Sequence, residues 1–263
     1  MPNFTAKDVQ SLRKATGAGM MDAKRALDST DGDFDAAAKW LREKGLAGVA
    51  KRAEREAVEG LVALALTDDA GAIVEIRCET DFVAKSPELV SLADDLAALV
   101  AKSGEQAATE RDSELDDLRT TLKENISVGT VVRIETSDST ILGSYLHVQN
   151  GRGVNAVLVE IRGGNEEIAH DIALHIAFAK PQYISREEVP EAEVAEERAT
   201  VEQIARNEGK PDAALPKIIE GRMNGFFKDR VLLEQTSAKD DKLITELLDG
   251  AEVLRFAQVV VGG

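Results

Sequence analysis

The spacing of apolar residues changes along the chain and divides it into segments. Over residues 1–50, apolar residues recur at helical spacing in three short runs, separated by turns that contain glycine and aspartate. This pattern predicts a small bundle of three helices, the third ending at Gly45. Residues 46–58 are rich in Ala, Lys, Arg and Glu without a definable apolar face, so we expect a linker with helical tendency.

From Gly60 onwards the pattern becomes typical of strands. Residues 61–66 and 72–78 are two apolar runs joined by a turn, and an amphipathic helix is predicted to start near Pro87. The same order of strand, turn, strand and helix recurs over residues 141–179. This recurrence predicts two related α+β subdomains with antiparallel sheets.

A helical arm interrupts the second unit. Residues 187–226 carry two thin apolar stripes around a turn with Gly and Pro, and we expect the two helices to pair as an antiparallel hairpin. The predicted fold class is therefore α+β. Its expected parts are an N-terminal three-helix bundle at 1–50, a first core subdomain at 51–139, a second core subdomain at 140–186 and 227–263, and the hairpin or coiled-coil arm at 187–226.

Charge and composition limit the possible partners. The chain has 48 acidic and 32 basic residues and a net charge of −16, which argues against nucleic acid because phosphate binding depends on Lys and Arg. No apolar run reaches the roughly 20 residues that a membrane helix needs. The first residues do not have the pattern of a secretory signal. We therefore expect a cytoplasmic protein without a nucleic-acid or membrane partner.

The sequence contains no pattern typical of a catalytic site. The glycine-rich phosphate-loop pattern is absent, and Cys78 is the single cysteine. His170 and His175 are about 140° apart around a helix, so they cannot bind one metal ion from a single face. We expect no catalytic residue, no metal and no cofactor, and hence a protein that is not an enzyme.

The most informative short segment lies between the second strand and the helix at Pro87. It contains Thr80, Asp81, Phe82 and Val83 in sequence. In one interpretation Thr80 or Asp81 caps a helix and Phe82 is buried in the core. In the other, Phe82 is an exposed aromatic that enters the surface of a partner.

A second segment, residues 16–27, joins the first two helices with the sequence T-G-A-G-M-M-D-A-K-R-A-L. Together with the T-D-F-V-A-K sequence that starts at Thr80, it resembles the translation elongation factor Ts family, the nucleotide exchange factors of elongation factor Tu. Further similar segments follow in order at 143–147, 172–177 and 220–223. The resemblance implies a ubiquitin-associated-like bundle at the N-terminus and a two-part core.

The resemblance also implies a function and site residues. It implies that the chain binds elongation factor Tu in a heterodimer or heterotetramer and promotes GDP release by disturbing the magnesium and phosphate site. The residues that it implies for nucleotide displacement are Thr80, Asp81, Phe82 and Val83. The residues that it implies for other partner contacts are Leu12, Met20, Met21, Lys24 and His147.

Two alternatives remain for the other contacts. Leu12, Met20 and Met21 could instead close the helical bundle, and His147, which shares a strand face with Tyr145, could belong to an ordinary exposed strand. Two other functions also remain: a non-catalytic protein-binding or chaperone-like adaptor, and a small-molecule enzyme with an unrecognised pocket. Catalysis of GDP release separates the exchange factor from both.

Overall fold

The computed structural model describes residues 3–263, without the side chains of residues 46–48, 50 and 51. An N-terminal bundle is formed by α1 (Ala6–Thr16), α2 (Met20–Ser29) and α3 (Phe34–Arg52). Thr5 and Asp33 cap α1 and α3 through their side chains, as their residue types favour. The bundle core consists of Val9, Leu12, Ala23, Ala26, Leu27 and Ala37.

The first core subdomain is a three-stranded antiparallel sheet covered by helices. Its strands are β1 (Glu59–Leu66), β2 (Ala70–Cys78) and β3 (Ser127–Glu135), in the order β1-β2-β3. Between β2 and β3 lie α4 (Asp81–Ala84), α5 (Pro87–Ser103) and α6 (Asp112–Leu122). The apolar side of α5 packs against β1 and β2 and closes the core of this subdomain.

The second core subdomain repeats this plan. Its strands are β4 (Thr140–Gln149), β5 (Arg152–Arg162) and β6 (Glu252–Val260), again antiparallel and in chain order. The covering helix is α7 (Glu166–Ala179). The remaining helices are α8 (Glu191–Asn207), α9 (Leu215–Arg230) and the short α10 (Ile244–Leu247). These observations confirm the predicted α+β class and its two antiparallel sheets.

The two sheets face each other and form a shared apolar layer. Ile73 of β2 and Leu158 of β5 belong to this layer, whereas their neighbours Val74 and Val157 face the helical layers. This alternation follows from the period of two along a strand. The core is therefore built in four layers: helix, sheet, sheet and helix.

The helical arm is held by a single apolar seam. Helices α8 and α9 pack on each other as the sequence pattern predicts. The buried residues of the seam and of the base where the arm joins the core are Val189, Val201, Ala205, Leu215, Ile219, Met223, Phe226, Phe227 and Val231. Within residues 3–263, no helix is long and apolar enough to cross a membrane.

The prediction that the third helix ends at Gly45 is wrong. Helix α3 continues to Arg52 and occupies the first part of the segment 46–58, which was expected to be a linker. A Cβ atom on Gly45 would lie 2.4 Å from Cγ2 of Thr120 on α6. Gly45 therefore allows α3 and α6 to approach closely, and packing outweighs the modest cost of glycine in a helix.

Each central strand carries a buried glutamate on the face toward the other sheet. Glu160 of β5 is 1% exposed. Burial alone would raise its pKa, but hydrogen bonds from Thr140, Ser137 and Arg255 lower the pKa to about 2. Glu75 of β2 is likewise buried, and Arg77 and Thr130 lower its pKa despite burial.

Acidification is expected to destabilise the fold through Glu160. Its pKa of about 2 in the folded state lies below the ordinary value of 4.5, so the unfolded state binds the proton first as the pH falls. The stabilisation is present above pH 4.5 and is lost towards pH 2, at most about 3 kcal/mol. Urea unfolding at several pH values should show a larger acid loss for wild type than for Glu160→Gln; equal losses would contradict this assignment.

Candidate functional site

The loop after β2 begins with a capped turn of helix. Thr80 has extended backbone, and its Oγ1 accepts a hydrogen bond of 3.4 Å from the Val83 amide, so Thr80 is the N-cap of α4. Ser86 caps α5 in the same way, and Pro87 is the first residue of that helix. Two helix starts so close together produce a short projecting turn between the sheet and α5, and we refer to residues 80–85 as the Phe82 turn.

Phe82 lies at the outer side of this turn. Its side chain is 82% exposed. Val83 packs against the core and Ala84 is fully buried, so these two residues occupy the inward positions of the turn. The interpretation of Phe82 as a core residue is therefore wrong, and the aromatic ring is free to contact another molecule.

Asp81 is an ionised neighbour of the ring. Lys85 forms an ion pair with Asp81 along one turn of helix. The hydrogen bond from Lys85 holds the pKa of the Asp81 carboxyl below its usual value. The Lys85 ammonium nitrogen also lies 5.9 Å from the centre of the Phe82 ring. The turn thus presents an apolar ring beside a carboxylate that carries its charge at neutral pH.

A second exposed surface lies on α2 of the bundle. Met20 and Met21 are 49% and 63% exposed, and Lys24 is exposed one turn further along. The opposite side of α2 contributes Ala23, Ala26 and Leu27 to the bundle core. We refer to Met20, Met21 and Lys24 as the methionine surface.

Leu12 does not belong to this surface. The structure places its side chain in the bundle core with no exposed area. The partner contact expected for Leu12 is therefore corrected, because no atom of the side chain can reach another protein in this conformation. Leu12 follows the helical apolar pattern of α1, and that pattern marks residues that face the bundle.

His147 lies exposed near the end of β4, where the pairing with β5 is irregular. The Tyr145 hydroxyl lies 3.4 Å from Nδ1 of His147, and their rings are stacked with centres 6.4 Å apart. This arrangement confirms the shared strand face predicted for the two residues. Tyr145 and His147 together form a small surface with apolar and polar parts, which we refer to as the His147 surface.

The hairpin that follows His147 reaches the base of the Phe82 turn. Arg152 at the start of β5 donates to the Gly60 carbonyl oxygen and to Glu59, at 2.5 and 2.7 Å. Glu59 is the β1 partner of Cys78, the last residue of β2 before the turn. The His147 surface and the Phe82 turn therefore lie towards the same end of the core. Arg152 has no local sequence pattern that could have predicted this contact.

The buried reactive groups are structural. His175 donates from Nε2 to Gln235 and accepts from the Ala238 amide at Nδ1, and burial lowers its pKa. Burial, and then the charge of Glu124, raise the pKa of the Cys78 thiol to about 12. Among the described residues, no three His, Cys, Asp or Glu side chains are placed to hold a metal ion.

These features describe an α+β protein with two antiparallel sheets, an N-terminal helical bundle, and exposed apolar side chains on the Phe82 turn and on the methionine surface. The family model described as Elongation factor TS matches residues 79–263. Elongation factor Ts of Mycobacterium tuberculosis strain H37Ra is 47% identical over 274 residues, covering 100% of this chain and 99% of the relative. Elongation factor Ts of Clavibacter michiganensis is 43% identical over 278 residues, covering 100% of both chains.

The chain belongs to the elongation factor Ts family. Membership gives it the role of an elongation factor in translation, a part of protein biosynthesis. The match with the relatives extends over the whole chain and so includes the bundle as well as the core.

Proposed function

We propose that this chain is a guanine nucleotide exchange factor that binds elongation factor Tu and promotes release of GDP. The observation that carries the proposal is the exposed Phe82 ring beside the ionised Asp81 on a short capped turn. The proposed complex is a heterodimer or heterotetramer in the cytoplasm, with neither nucleic acid nor a membrane as a partner.

The proposed mechanism is insertion of Phe82 and Asp81 into the nucleotide-binding domain of the partner. Transfer of an exposed aromatic ring from water into an apolar pocket lowers the free energy of the complex. Such residues contribute most of the binding energy at many interfaces. Inserted between helices, the ring acts as a wedge that displaces the phosphate-binding loop. Thr80 and Val83 support the turn from either side, through the cap and through core packing.

Asp81 has an electrostatic part in this mechanism. A carboxylate brought close to the magnesium ion disturbs the hydrogen-bonded groups that orient the ion's ligands, without needing to bind the ion itself. In the free protein Lys85 pairs with the Asp81 carboxylate, lowers its pKa and partly neutralises its charge until the complex forms. No covalent bond is made or broken, so the exchange activity requires neither a nucleophile nor a cofactor.

The methionine surface and His147 are proposed to hold the partner at two further places. Methionine is flexible and polarizable, which suits a contact that must persist while the partner changes shape. Lys24 adds a positive charge at the edge of the methionine surface. His147 is proposed to contact a part of elongation factor Tu away from the nucleotide.

The direct test is to time the release of fluorescent GDP from elongation factor Tu in a stopped-flow instrument. The release rate should rise with the concentration of this protein and reach a plateau. With GTP in the solution, a small amount of the protein should discharge an excess of the partner, because an exchange factor is regenerated when GTP binds the partner. Release at the spontaneous rate despite formation of a complex would favour the adaptor and overturn the proposed function.

The methionine surface should affect binding more than the maximal rate. In the double variant Met20→Ser, Met21→Ser, the concentration needed for half-maximal release should rise about ten-fold, as expected for the loss of about 1.4 kcal/mol of contact energy. The maximal rate should change little because the nucleotide site is contacted elsewhere. Circular dichroism should show an intact bundle, since both side chains are exposed.

Leu12→Ala is the comparison variant, because it destabilises the bundle without removing a side chain of the methionine surface. Loss of a fully buried leucine should destabilise the bundle by about 2 to 5 kcal/mol and lower its melting temperature. An unchanged half-maximal concentration for the folded double methionine variant would contradict a partner contact at α2.

A further inference from the structure

The Phe82 turn is attached to the core by a carboxylate from a distant part of the chain. Glu124 lies in the turn between α6 and β3, 44 residues beyond Thr80. Its Oε2 accepts hydrogen bonds from the backbone amides of Glu79 and Thr80, at 3.0 and 3.1 Å. Its Oε1 accepts from the Thr80 hydroxyl at 2.5 Å. Both oxygens of one half-buried carboxylate thus hold the residues that begin the turn.

The next residue of the same turn, Asn125, holds the chain that leaves the bundle. The Asn125 amide nitrogen donates to the Glu79 side chain at 2.7 Å, and the Asn125 side chain donates to the Ala53 and Arg55 carbonyl oxygens. Arg55 also pairs with Glu79 at 3.3 Å. Asn125, the residue next to Glu124, therefore connects the chain that leaves the bundle with the start of the Phe82 turn.

The Phe82 turn needs this external support. Helix α4 has four residues, and a helix of this length is unstable alone because nucleation is unfavourable. The Phe82 ring itself has little contact with the core. Its direction is therefore set by the backbone of the turn, which is held on one side by the inward packing of Val83 and Ala84 and on the other by Thr80, whose hydroxyl caps Val83. Glu124 bonds to both the amide and the hydroxyl of Thr80.

We propose that Glu124 is a positioning residue for nucleotide exchange, acting through Phe82. Its carboxylate fixes the backbone at Glu79 and Thr80 so that α4 presents Asp81 and Phe82 in the conformation that enters the partner. This role rests on the proposed exchange function and adds to it a residue outside the T-D-F-V segment. Fixing the turn beforehand reduces the conformational entropy that is lost when the complex forms.

Two variants of Glu124 separate its hydrogen bonds from its charge. Glu124→Ala removes all three acceptor contacts and leaves the two amides to water, which can reach the exposed Thr80. Glu124→Gln keeps one oxygen for the amides, and its NH₂ group can donate to the Thr80 hydroxyl oxygen. Positioning by hydrogen bonds therefore predicts that the glutamine variant retains most of the exchange activity.

The test is a double-mutant cycle measured by release of fluorescent GDP from elongation factor Tu. Glu124→Ala should lower the maximal release rate about ten-fold in the wild-type background, in line with the cost of a misplaced contact residue. In the Phe82→Ala background the same change should cost less than about two-fold, because the ring to be positioned is gone. In the His147→Ala background it should retain its full effect.

Glu105→Ala is the matched control. Glu105 also accepts a hydrogen bond from a backbone amide, that of Arg133, and it lies beyond the far end of α5, about 25 Å from the start of that helix. Its loss should leave GDP release unchanged. Thermal unfolding of each variant identifies those that fail to fold.

The outcomes distinguish this proposal from the function on which it rests. Three results together support the positioning role. Glu124→Ala lowers the maximal release rate ten-fold in the wild-type background, the same change has little effect in the Phe82→Ala background, and Glu124→Gln retains most of the wild-type rate. An equal loss in the wild-type and Phe82→Ala backgrounds, or none in either, overturns the positioning role while the exchange function stands. If Phe82→Ala itself releases GDP at the wild-type rate, the proposed mechanism through Phe82 fails, and the role of Glu124 fails with it.

Discussion

Replacing Phe82 with alanine is expected to slow the maximal release of GDP by about thirty-fold, with the fold unchanged. This factor corresponds to about 2 kcal/mol, the loss typical of a dominant aromatic at an interface. The fold should persist because the ring is 82% exposed and leaves no cavity when it is removed. Stopped-flow release of fluorescent GDP and circular dichroism measure the two parts of this expectation.

Leu66→Ala serves as the control for Phe82→Ala. Leu66 is also an exposed apolar side chain, with half of its surface accessible, but it lies at the opposite end of β1 from the Phe82 turn, about 25 Å along the strand. The rate of GDP release with the Leu66→Ala variant should equal the rate with the wild-type protein. If the Phe82 variant unfolds, the ring supports the core; if it releases GDP at the wild-type rate, the ring does not act as a wedge.

Much of the fold could be predicted from local patterns. The apolar run at residues 72–78, bounded by a turn, predicts a strand, and the helical apolar pattern of α5 and α7 predicts the layers that cover the sheets. The recurrence of strand, turn, strand and helix was sufficient to predict two antiparallel sheets. These features could be predicted because a helix or strand that buries one side has apolar residues at a regular spacing in its sequence.

Features that depend on tertiary contacts could not be predicted in this way. Gly45 has the residue type of a helix end, but its partner is Thr120 on another helix, and only the structure shows that close approach. The resemblance grouped Leu12 with the exposed methionines, although the helical apolar pattern of α1 predicts the buried position that the structure shows. Sequence similarity identifies the matching residue, but it does not show whether that side chain is exposed.

The candidate site also has some features that the sequence predicts and others that only the structure shows. The sequence identified the Phe82 turn but left two orientations open, and the inward positions of Val83 and Ala84 decide between them. Glu124 and Arg152 were missed because each reaches the turn from a distant segment. Hydrogen bonds between residues so far apart in the chain leave no periodic or local motif in the sequence.

The proposed mechanism also has a thermodynamic consequence of large expected size. If the protein weakens the partner's hold on GDP by some factor, GDP must weaken the partner's hold on the protein by the same factor. Coupling between two sites on one protein is typically 5- to 150-fold, and we expect a value of about 100-fold for an exchange factor. Nucleotide-free elongation factor Tu should therefore bind far more tightly than the GDP-loaded form.

Two variants locate the coupling within the interface. Phe82→Ala should move the ratio of the two affinities towards one, because the wedge is the group that opposes bound GDP. His147→Ala should weaken binding to both forms alike and leave the ratio unchanged, because its proposed contact lies away from the nucleotide. A change of the ratio in the histidine variant would place part of the coupling in the second core subdomain.

Isothermal titration calorimetry with nucleotide-free and GDP-loaded elongation factor Tu tests the central claim most directly. The claim is that this protein binds so as to deform the nucleotide site. The predicted result is an affinity about 100-fold higher for the nucleotide-free form, falling towards equality for Phe82→Ala. Equal affinities of the wild-type protein for both forms would contradict the exchange function, however tight the complexes are.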